Sequence, residues 1–286
     1  MTRSARERGC PAGTVTFDPS PQVVIHREFP YILTTLDEKL ERLAEFGLGF
    51  VYLLRFDETL RATPAEVFLE QMILKPLRPS LLVEGYDHRF GSDRQGDARL
   101  LETLRAKYRF DVKVLPEFQY HGAAVNSTRI RERLVLGAVR QACVLLGGPY
   151  RIQGRVVPGQ GIGRGLGFPT VNLELRAKEK LIPAPGVYAM KVRMDERVLP
   201  GVMNIGFRPT ISSEGQGSGA QSLEVHILDF NEQVYDRLLV VEFIERLRPE
   251  TKFASVEELK RQIGADISLA RLILADSKMS ADGGQG

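Results

Sequence analysis

A hydroxyl and an amide side chain stand two residues apart in the segment Phe168-Pro-Thr-Val-Asn172. If this segment is a strand, Thr170 and Asn172 lie on the same face, because side chains alternate along a strand. Their oxygens are hard ligands of the kind that Mg²⁺ accepts while it keeps several waters. A Thr-x-Asn pair is also frequent in turns and on solvated strand faces, so both interpretations stay open for the pair alone.

A run with glycine at every second position, Gly159-Gln-Gly-Ile-Gly-Arg-Gly-Leu-Gly167, comes directly before this pair. Without Cβ atoms, such a backbone turns tightly and can present N–H groups to a phosphate. It is neither a Walker A loop nor a dinucleotide fingerprint, because G-x-x-x-x-G-K-[ST] and G-x-G-x-x-G do not occur in it. A flexible connection between strands explains the glycine content equally well.

A carboxylate stands between the apolar residues Leu223 and Val225 in the segment Leu223-Glu-Val-His-Ile-Leu-Asp-Phe230. Glu224 in this segment fits an exposed strand face. A carboxylate that faces a ligand pocket could instead accept the proton of a hydroxyl group.

Strand and helix patterns alternate through the first half of the chain, where short apolar runs predict strands at 15–17, 50–54, 80–83 and 112–115. The capping boxes Thr35-Leu-Asp-Glu38 and Thr63-Pro-Ala-Glu66 predict two helix starts, with the first helix ending at Gly47. A further helix is predicted near 97–107. This alternation predicts a parallel sheet with covering helices, whose ligands bind beyond the carboxyl ends of the strands.

The pattern changes near Gly147-Gly-Pro149, after which the sequence is rich in Gly and Pro. Apolar and polar residues alternate in the segments 188–194 and 223–227. Both features are typical of an antiparallel barrel or sandwich. Ser255-Val-Glu-Glu258 caps one closing helix. Its apolar face carries Leu259, Ile263, Ile267, Ala270 and Leu274. We expect a first domain over 1–147, a second over 148–276, and a disordered tail over 277–286.

The composition and charge of the chain exclude several classes of protein. Hydrophobic residues make up 43% and charged residues 26% of the chain, which excludes a wholly disordered or collagenous protein. The net charge is only +3, without a long Lys/Arg run or an aromatic-plus-basic stripe, which disfavours nucleic acid as a partner. The longest apolar run, 46–54, is too short to span a bilayer. With two distant cysteines, we expect a cytoplasmic protein without a membrane partner; the sequence allows a homo-oligomer.

The second half of the chain resembles the riboflavin kinase family over 149–275. Five motifs carry the resemblance in the family's order: Gly154-Arg-Val-Val157, Gly163-Arg-Gly-Leu-Gly-Phe-Pro-Thr-Val-Asn172, Pro185-Gly-Val-Tyr-Ala189, Asn204-Ile-Gly-Phe-Arg-Pro-Thr210 and Leu223-Glu-Val-His-Ile-Leu-Asp-Phe230. The family's usual Pro-Thr-Ala-Asn reads Pro-Thr-Val-Asn here, a change that keeps both polar side chains.

This resemblance implies a six-stranded barrel that phosphorylates riboflavin to FMN with ATP. It implies that Thr170 and Asn172 bind Mg²⁺–ATP and that Glu224 is the base for the ribityl 5′-hydroxyl. Positioning and metal electrostatics do most of the catalysis in such reactions. The resemblance also implies contacts with ATP or flavin from Gly159, Gly161, Gly163, Arg164, Gly167, Asn204 and Arg208.

The first half is similar to the FMN adenylyltransferase domain of the bacterial bifunctional FAD synthetases. The motifs are Thr16-Phe-Asp-Pro-Ser-Pro21, Leu33-Thr-Thr-Leu-Asp-Glu-Lys39, Gly85-Tyr-Asp-His-Arg-Phe-Gly91 and Asn126-Ser-Thr-Arg-Ile-Arg131. The resemblance implies flavin or nucleotide contacts at Asp87. In the last motif, Ser127 and Thr128 can cap a helix while Arg129 and Arg131 face ATP phosphates at its positive end. A capped surface helix with two solvated arginines is the alternative.

One family motif is not found in this sequence. Members of the family begin with a strand and G-x-F-D-G-x-H-x-G-H, whereas none of the four histidines here forms His-x-Gly-His. We therefore expect an α/β nucleotidyltransferase-like parallel sheet domain that is N-terminally incomplete, followed by a riboflavin-kinase β-barrel with a C-terminal helix. Either the true start lies upstream of Met1, or adenylyl transfer has been lost.

Two functions of different class fit these residues. The first is a riboflavin kinase that uses ATP with Mg²⁺ and has flavin as substrate and product. The alternative is a catalytically silent flavin- or nucleotide-binding module that regulates another protein. Retention of Glu224 together with Thr170 and Asn172 favours the enzyme.

We expect the 286-residue polypeptide to convert riboflavin to FMN and to form little FAD. In adenylyl transfer the FMN phosphate attacks the α-phosphate of ATP without a protein nucleophile, so catalysis depends on electrostatic stabilisation of the charge that develops there. The loss of one well-placed hydrogen-bond donor from such a site lowers the rate by about 10²–10³-fold. Chromatography of flavins after incubation with riboflavin, ATP and Mg²⁺ measures both products, with the gene extended to an upstream start as the positive control. Robust FAD formation by the 286 residues would contradict this expectation.

Overall fold

The computed structural model describes residues 1–25, 31–159, 162–207 and 221–282; of residues 162 and 277–282 only the backbone is described. The chain forms two compact units. The first comprises Met1–Ile32 and Lys39–Val125, and the second comprises Leu33–Glu38 and Asn126–Gly286. Six residues from the first half of the chain therefore fold with the second half.

Four strands of the first unit pair in parallel, as the alternation of strands and helices predicts. Strand β1 (Gly13–Asp18) pairs with β2 (Phe50–Arg55), and β3 (Leu81–Gly85) pairs with β4 (Asp111–Leu115). Among the described residues these are two separate two-stranded sheets. Both pairs pack on one apolar core, which is built around Phe68, Leu69, Ile73, Leu74, Leu101, Leu104 and Phe110.

The helices in the first part of the chain are short. They are α1 (Thr2–Glu7), α2 (Pro21–Ile25), α3 (Leu36–Glu45), α4 (Glu58–Arg61), α5 (Ala65–Phe68), α6 (Lys75–Leu77) and α7 (Ala98–Tyr108). A π-helical segment, Leu69–Leu74, joins α5 to α6, and a 3₁₀ turn covers Ser92–Arg94. A small antiparallel pair, β5 (Gln119–Tyr120) and β6 (Ala123–Ala124), follows β4.

One of the two predicted capping boxes in this half forms. The backbone N–H of Thr35 donates to Glu38 Oε2 at 2.9 Å, and that of Glu38 donates to Thr35 Oγ1 at 3.3 Å. The box predicted at Thr63 is wrong, because the Thr63 hydroxyl donates to the carbonyl of Thr59 at 2.8 Å instead. The preceding helix α4 offers a free terminal carbonyl, and a threonine hydroxyl bonds locally to such a group.

The second unit is a closed barrel of six antiparallel strands, which confirms the predicted barrel. The strands are β7 (Tyr150–Val157), β8 (Val171–Leu175), β9 (Gly186–Met194), β10 (Arg197–Phe207), β11 (Gln221–Ile227) and β12 (Leu238–Arg248). Their order around the barrel is β10-β11-β8-β7-β12-β9. The helices of this unit are α8 (Ser127–Val135), α9 (Val139–Leu146), α10 (Ile162–Gly165) and α11 (Val256–Asp282).

Alternation along the strands separates an apolar interior from the outer face of the barrel. Interior positions are filled by a cluster that includes Tyr188, Met203, Ile205, Leu223 and Val225. On the outer face Val187, Ala189 and Val202 pack against Ala270 and Leu274 of α11. This confirms the later part of the apolar face predicted for that helix, to which Ile267 also belongs. The helix continues to Asp282, beyond residue 277 where the sequence predicts the start of a disordered tail.

A buried ion pair holds the six-residue segment 33–38 in the second unit. Lys180 Nζ donates to Glu38 Oε2 at 2.5 Å and to the carbonyl of Leu33 at 2.7 Å, and both charged side chains are at most 3% exposed. The ammonium also lies 4.4 Å from the centre of the Tyr150 ring. Burial lowers the pKa of Lys180 to about 8, and the charge of Glu38 offsets part of that effect.

We predict that Glu38→Gln lowers the free energy of unfolding by about 3–5 kcal/mol, because it leaves a buried ammonium without its compensating charge. The amide keeps the shape of the side chain, so the change isolates the charge. Urea unfolding of the variant measures the loss. The matched control is Glu7→Gln, which removes the partner of Arg3 in an exposed pair and is expected to cost at most about 1 kcal/mol. Equal losses in the two variants would contradict a special role for the buried pair.

Candidate functional site

Three polar side chains form a row across neighbouring strands of the barrel. The register pairs Asn204 of β10 with Glu224 of β11, and Glu224 with Asn172 of β8. Directly opposed residues of antiparallel strands project to the same face, with Cβ atoms about 4.5–5.5 Å apart. Their neighbours Leu223 and Val225 fill the interior, so the row lies on the outer face. The structure therefore brings these three predicted site residues together.

The glycine run packs directly onto the predicted metal ligands. A Cβ atom on Gly159 would lie 1.8 Å from Asn172 Nδ2, and one on Gly163 would lie 3.0 Å from Thr170 Oγ1. Only residues without a side chain allow this approach. Because the loop covers it, Asn172 is only 6% exposed even though it lies on the outer face of the barrel.

A tight turn connects this run to the strand that carries Asn172. The carbonyl of Gly163 accepts hydrogen bonds from the N–H groups of Leu166 at 3.2 Å and Phe168 at 2.8 Å. Gly167 has φ +88°, a conformation that favours glycine. Arg164 is exposed on α10 and makes no ion pair with any described residue. Gly161 and Arg208, which the sequence also implicates, lie outside the described residues.

The carboxylate of Glu224 is half-buried and makes no hydrogen bond or ion pair within the part of the chain that the structure describes. A second carboxylate approaches the same face. A Cβ atom on Gly206 would lie 2.5 Å from Glu250 Oε1 and 3.4 Å from Asn204 Nδ2. No sequence pattern points to Glu250, because this residue reaches the site from a loop beyond β12. Because the Glu224 carboxylate has no hydrogen-bond or ion-pair partner among the described residues, it can accept a hydrogen bond from a ligand.

A histidine joins β11 to the segment that carries Thr170. His226 Nδ1 lies 2.8 Å from the carbonyl oxygen of Pro169, and the imidazole meets the ring of Phe168 edge-on at 6.0 Å. Sequence analysis does not single out His226. The strand period could have identified it, since residues 224 and 226 share one face.

The donor atoms near the row fit a metal ion that is bound together with phosphate. Among the described residues no group of three or more His, Cys, Asp or Glu could hold a metal by itself. The hydroxyl of Thr170 and the amide of Asn172 are oxygen donors, and the backbone of the glycine run lies against them. Mg²⁺ is usually held by one or two protein groups together with water and substrate phosphates. The residues therefore suit Mg²⁺ that arrives with a nucleotide.

The predicted residue Asp87 of the first unit is exposed and follows β3. At the carboxyl end of that strand, Glu84 Oε1 lies 2.8 Å from His88 Nδ1, and the side chain of Glu84 is only 5% exposed. Tyr86 donates to Glu117 Oε1 at 2.6 Å, which raises the pKa of the phenol to about 12. No sequence pattern signals the pairs made by Glu84 and Tyr86, since each depends on the fold of the strand end.

Helix α8 carries the other residues that the sequence assigns to nucleotide binding. Asn126 is its N-cap, with Oδ1 accepting from the N–H of Arg129 at 2.9 Å, whereas the sequence predicts capping by Ser127 and Thr128. Asn126 is the first residue in the motif with a capping side chain, and Ser127 is already helical. Partial burial lowers the pKa of Arg131. The roles of these residues towards ATP stay predictions.

Comparison with known protein families matches both halves of the chain. The riboflavin kinase family matches residues 146–274, and the FAD synthetase family matches residues 1–129. A bifunctional riboflavin kinase/FMN adenylyltransferase from Escherichia coli (strain K12) is 39% identical over 273 residues, covering 95% of this chain and 85% of that protein. The protein of the same name from Pseudomonas fluorescens is 38% identical over 277 residues, covering 97% and 87%.

A similar solved structure is described as a macrolide-efflux protein from Streptococcus pneumoniae. It has a TM-score of 0.83 and 30% sequence identity, and the match covers 94% of this chain and 86% of that one. In the present chain, none of the helices within the described residues has the length and apolar character that a bilayer crossing requires.

We predict that Gly159→Ala weakens ATP binding in the presence of Mg²⁺ by at least roughly tenfold, because the added methyl group displaces the Asn172 amide. The matched control is Gly165→Ala in the same loop, where an added Cβ atom would meet nothing within 4 Å. Calorimetric titration with ATP compares the two variants, and circular dichroism checks that both are folded. Equal affinities would show that the approach of the loop to Asn172 has no role in binding ATP.

Proposed function

Because this chain belongs to the bifunctional riboflavin kinase/FMN adenylyltransferase family, we propose that the row of Asn172, Glu224 and Asn204 is where it phosphorylates riboflavin. The chain carries a riboflavin kinase domain, whose activity is the ATP-dependent conversion of riboflavin to FMN. It also carries a domain of the FAD synthetase family. The observation that supports the placement of the kinase site is the barrel register, which sets a carboxylate beside two amides under a glycine-rich loop.

The nucleotide is proposed to bind between the glycine run and the start of β8. Mg²⁺, when bound, neutralises charge on the phosphates during transfer. Thr170 and Asn172 would hold it through their side-chain oxygens. Arg164, which has no partner among the described residues, is placed by the same loop and can pair with a phosphate group. Gly161 and Arg208 stay predicted contacts of the substrates.

Glu224 is proposed as the general base. Its carboxylate would accept the proton of the ribityl 5′-hydroxyl while that oxygen forms its bond to the γ-phosphorus and ADP leaves. A carboxylate that is already paired with a cation or a hydrogen-bond donor would be a weaker base. Glu224 has no such partner within the described residues, which supports this assignment. Asn204, the directly opposed residue on β10, would orient the flavin side chain.

For the adenylylation of FMN, the second activity in the name of the family, we propose only which residues contact the substrates. Asp87, exposed after the carboxyl end of β3, lies where parallel strands present ligand-binding residues, and we assign it to flavin or nucleotide. Four residues of α8 are separately assigned to phosphate binding: Ser127, Thr128, Arg129 and Arg131. Riboflavin, FMN and ATP are the small-molecule partners that follow from the activity. Cytoplasmic location, a homo-oligomer, and the lack of membrane or nucleic-acid partners stay predictions from the sequence.

We predict that Glu224→Gln lowers kcat for riboflavin phosphorylation by roughly two to four decades, the usual contribution of a general base. Because the amide keeps the shape, binding of riboflavin should change little, and fluorescence titration of the flavin measures it. The matched control, Glu196→Gln, changes an exposed glutamate in the turn between β9 and β10 and should keep the wild-type rate. A wild-type rate in Glu224→Gln would remove this residue from the mechanism, and a wild-type chain without turnover would favour the silent binding module.

A further inference from the structure

We propose that His226 is a positioning residue of the kinase site, which holds the carbonyl of Pro169 so that Thr170 presents its hydroxyl to Mg²⁺–ATP. The inference rests on the proposed function, because it is the proposed function that makes Thr170 a contact of the nucleotide. His226 itself would touch neither substrate.

The backbone ladder that holds β8 to β11 ends before Thr170. Its register contains two pairs, Glu224 with Asn172 and Val225 with Val171. Continued by one step, the register would place His226 opposite Thr170, but the structure has no backbone pair there. Pro169, the next residue outward, has no N–H and cannot extend a ladder. Thr170 therefore lies just beyond the last backbone contact of its strand.

The side chain of His226 supplies the missing contact. Its Nδ1 lies 2.8 Å from Pro169 O. Because a carbonyl oxygen only accepts, this contact is a hydrogen bond when Nδ1 carries the hydrogen, and we assign that tautomer. The neutral ring then has its second nitrogen, Nε2, unprotonated. The same imidazole also meets the ring of Phe168 edge-on, with the ring centres 6.0 Å apart. One ring thus fixes the two residues that immediately precede Thr170.

The same strand also carries the proposed base. Glu224 and His226 are two residues apart on β11, so their side chains share the outer face about 6.5–7 Å apart along the strand. Val202 of β10 pairs with His226 in a ladder that covers β11 from Gln221 to Ile227, which keeps the strand in place without the imidazole. Loss of the ring should therefore release Thr170 without disturbing Glu224.

The test compares three variants in steady-state kinetics. His226→Phe keeps an aromatic ring and removes the donor, whereas His226→Asn keeps an N–H donor near the position of Nδ1. Thr170→Val removes the hydroxyl that the histidine is proposed to position. We expect His226→Phe to raise KM for Mg²⁺–ATP roughly three- to tenfold, as Thr170→Val does, with KM for riboflavin unchanged within about twofold. His226→Asn should recover most of the loss.

The outcomes separate this inference from the proposed function. If Thr170→Val raises KM for Mg²⁺–ATP and His226→Phe does not, the positioning role is wrong and the ATP site stands. If Thr170→Val has no effect, the assignment of Thr170 to ATP fails, and the positioning role fails with it. A change of both substrates' KM values in His226→Phe, or no recovery in His226→Asn, would show a merely structural residue.

A measurement on the wild-type chain keeps the inference testable even if the variants do not fold. Nitrogen-15 NMR of the histidine rings distinguishes the two neutral tautomers. We expect His226 to carry its hydrogen on Nδ1, with that hydrogen protected from exchange with solvent. The opposite tautomer, with hydrogen on Nε2 alone, would overturn the proposal.

Discussion

The register of the closed barrel is the constraint on which the proposed kinase site depends. Because strand side chains alternate, one choice of pairing decides which residues fill the interior and which face outward. The pairing that buries Leu223 and Val225 necessarily places Glu224 outward between Asn172 and Asn204. A slip of one residue would bury the carboxylate. Stability and site geometry are therefore fixed by the same hydrophobic pattern.

A second constraint is the small space between Asn172 and the glycine run that covers it. The amide of Asn172 occupies the place that a side chain on residue 159 would need, and a side chain on residue 163 would meet Thr170. This close approach leaves Asn172 only 6% exposed. By contrast, Gly165 has open space around it. The alternating glycines are thus not equivalent, and their number alone does not reveal which of them matter.

Local sequence patterns predict many of the helices and strands, but they do not predict contacts between distant segments of the chain. The parallel strands and the Thr35–Glu38 capping box follow from short-range sequence patterns. The segment 168–172, considered as a strand from the sequence, is a strand only from Val171 onward, so Thr170 lies just before β8. The Glu38–Lys180 pair joins residues 142 positions apart, which no local pattern signals. Thr63 failed as a cap because a neighbouring helix end competed for its hydroxyl. The pairing of Asn172, Glu224 and Asn204 needed the strand order, which sequence periodicity leaves open.

The central claim is that the nucleotide and the flavin meet at the row of Asn172, Glu224 and Asn204. A crystal structure of the chain with ADP, Mg²⁺ and riboflavin tests it most directly. We predict that Mg²⁺ is coordinated by the side-chain oxygens of Thr170 and Asn172, and that the 5′-hydroxyl of riboflavin lies within hydrogen-bond distance of the Glu224 carboxylate. Nucleotide density elsewhere on the barrel, with Glu224 remote from the flavin, would contradict it.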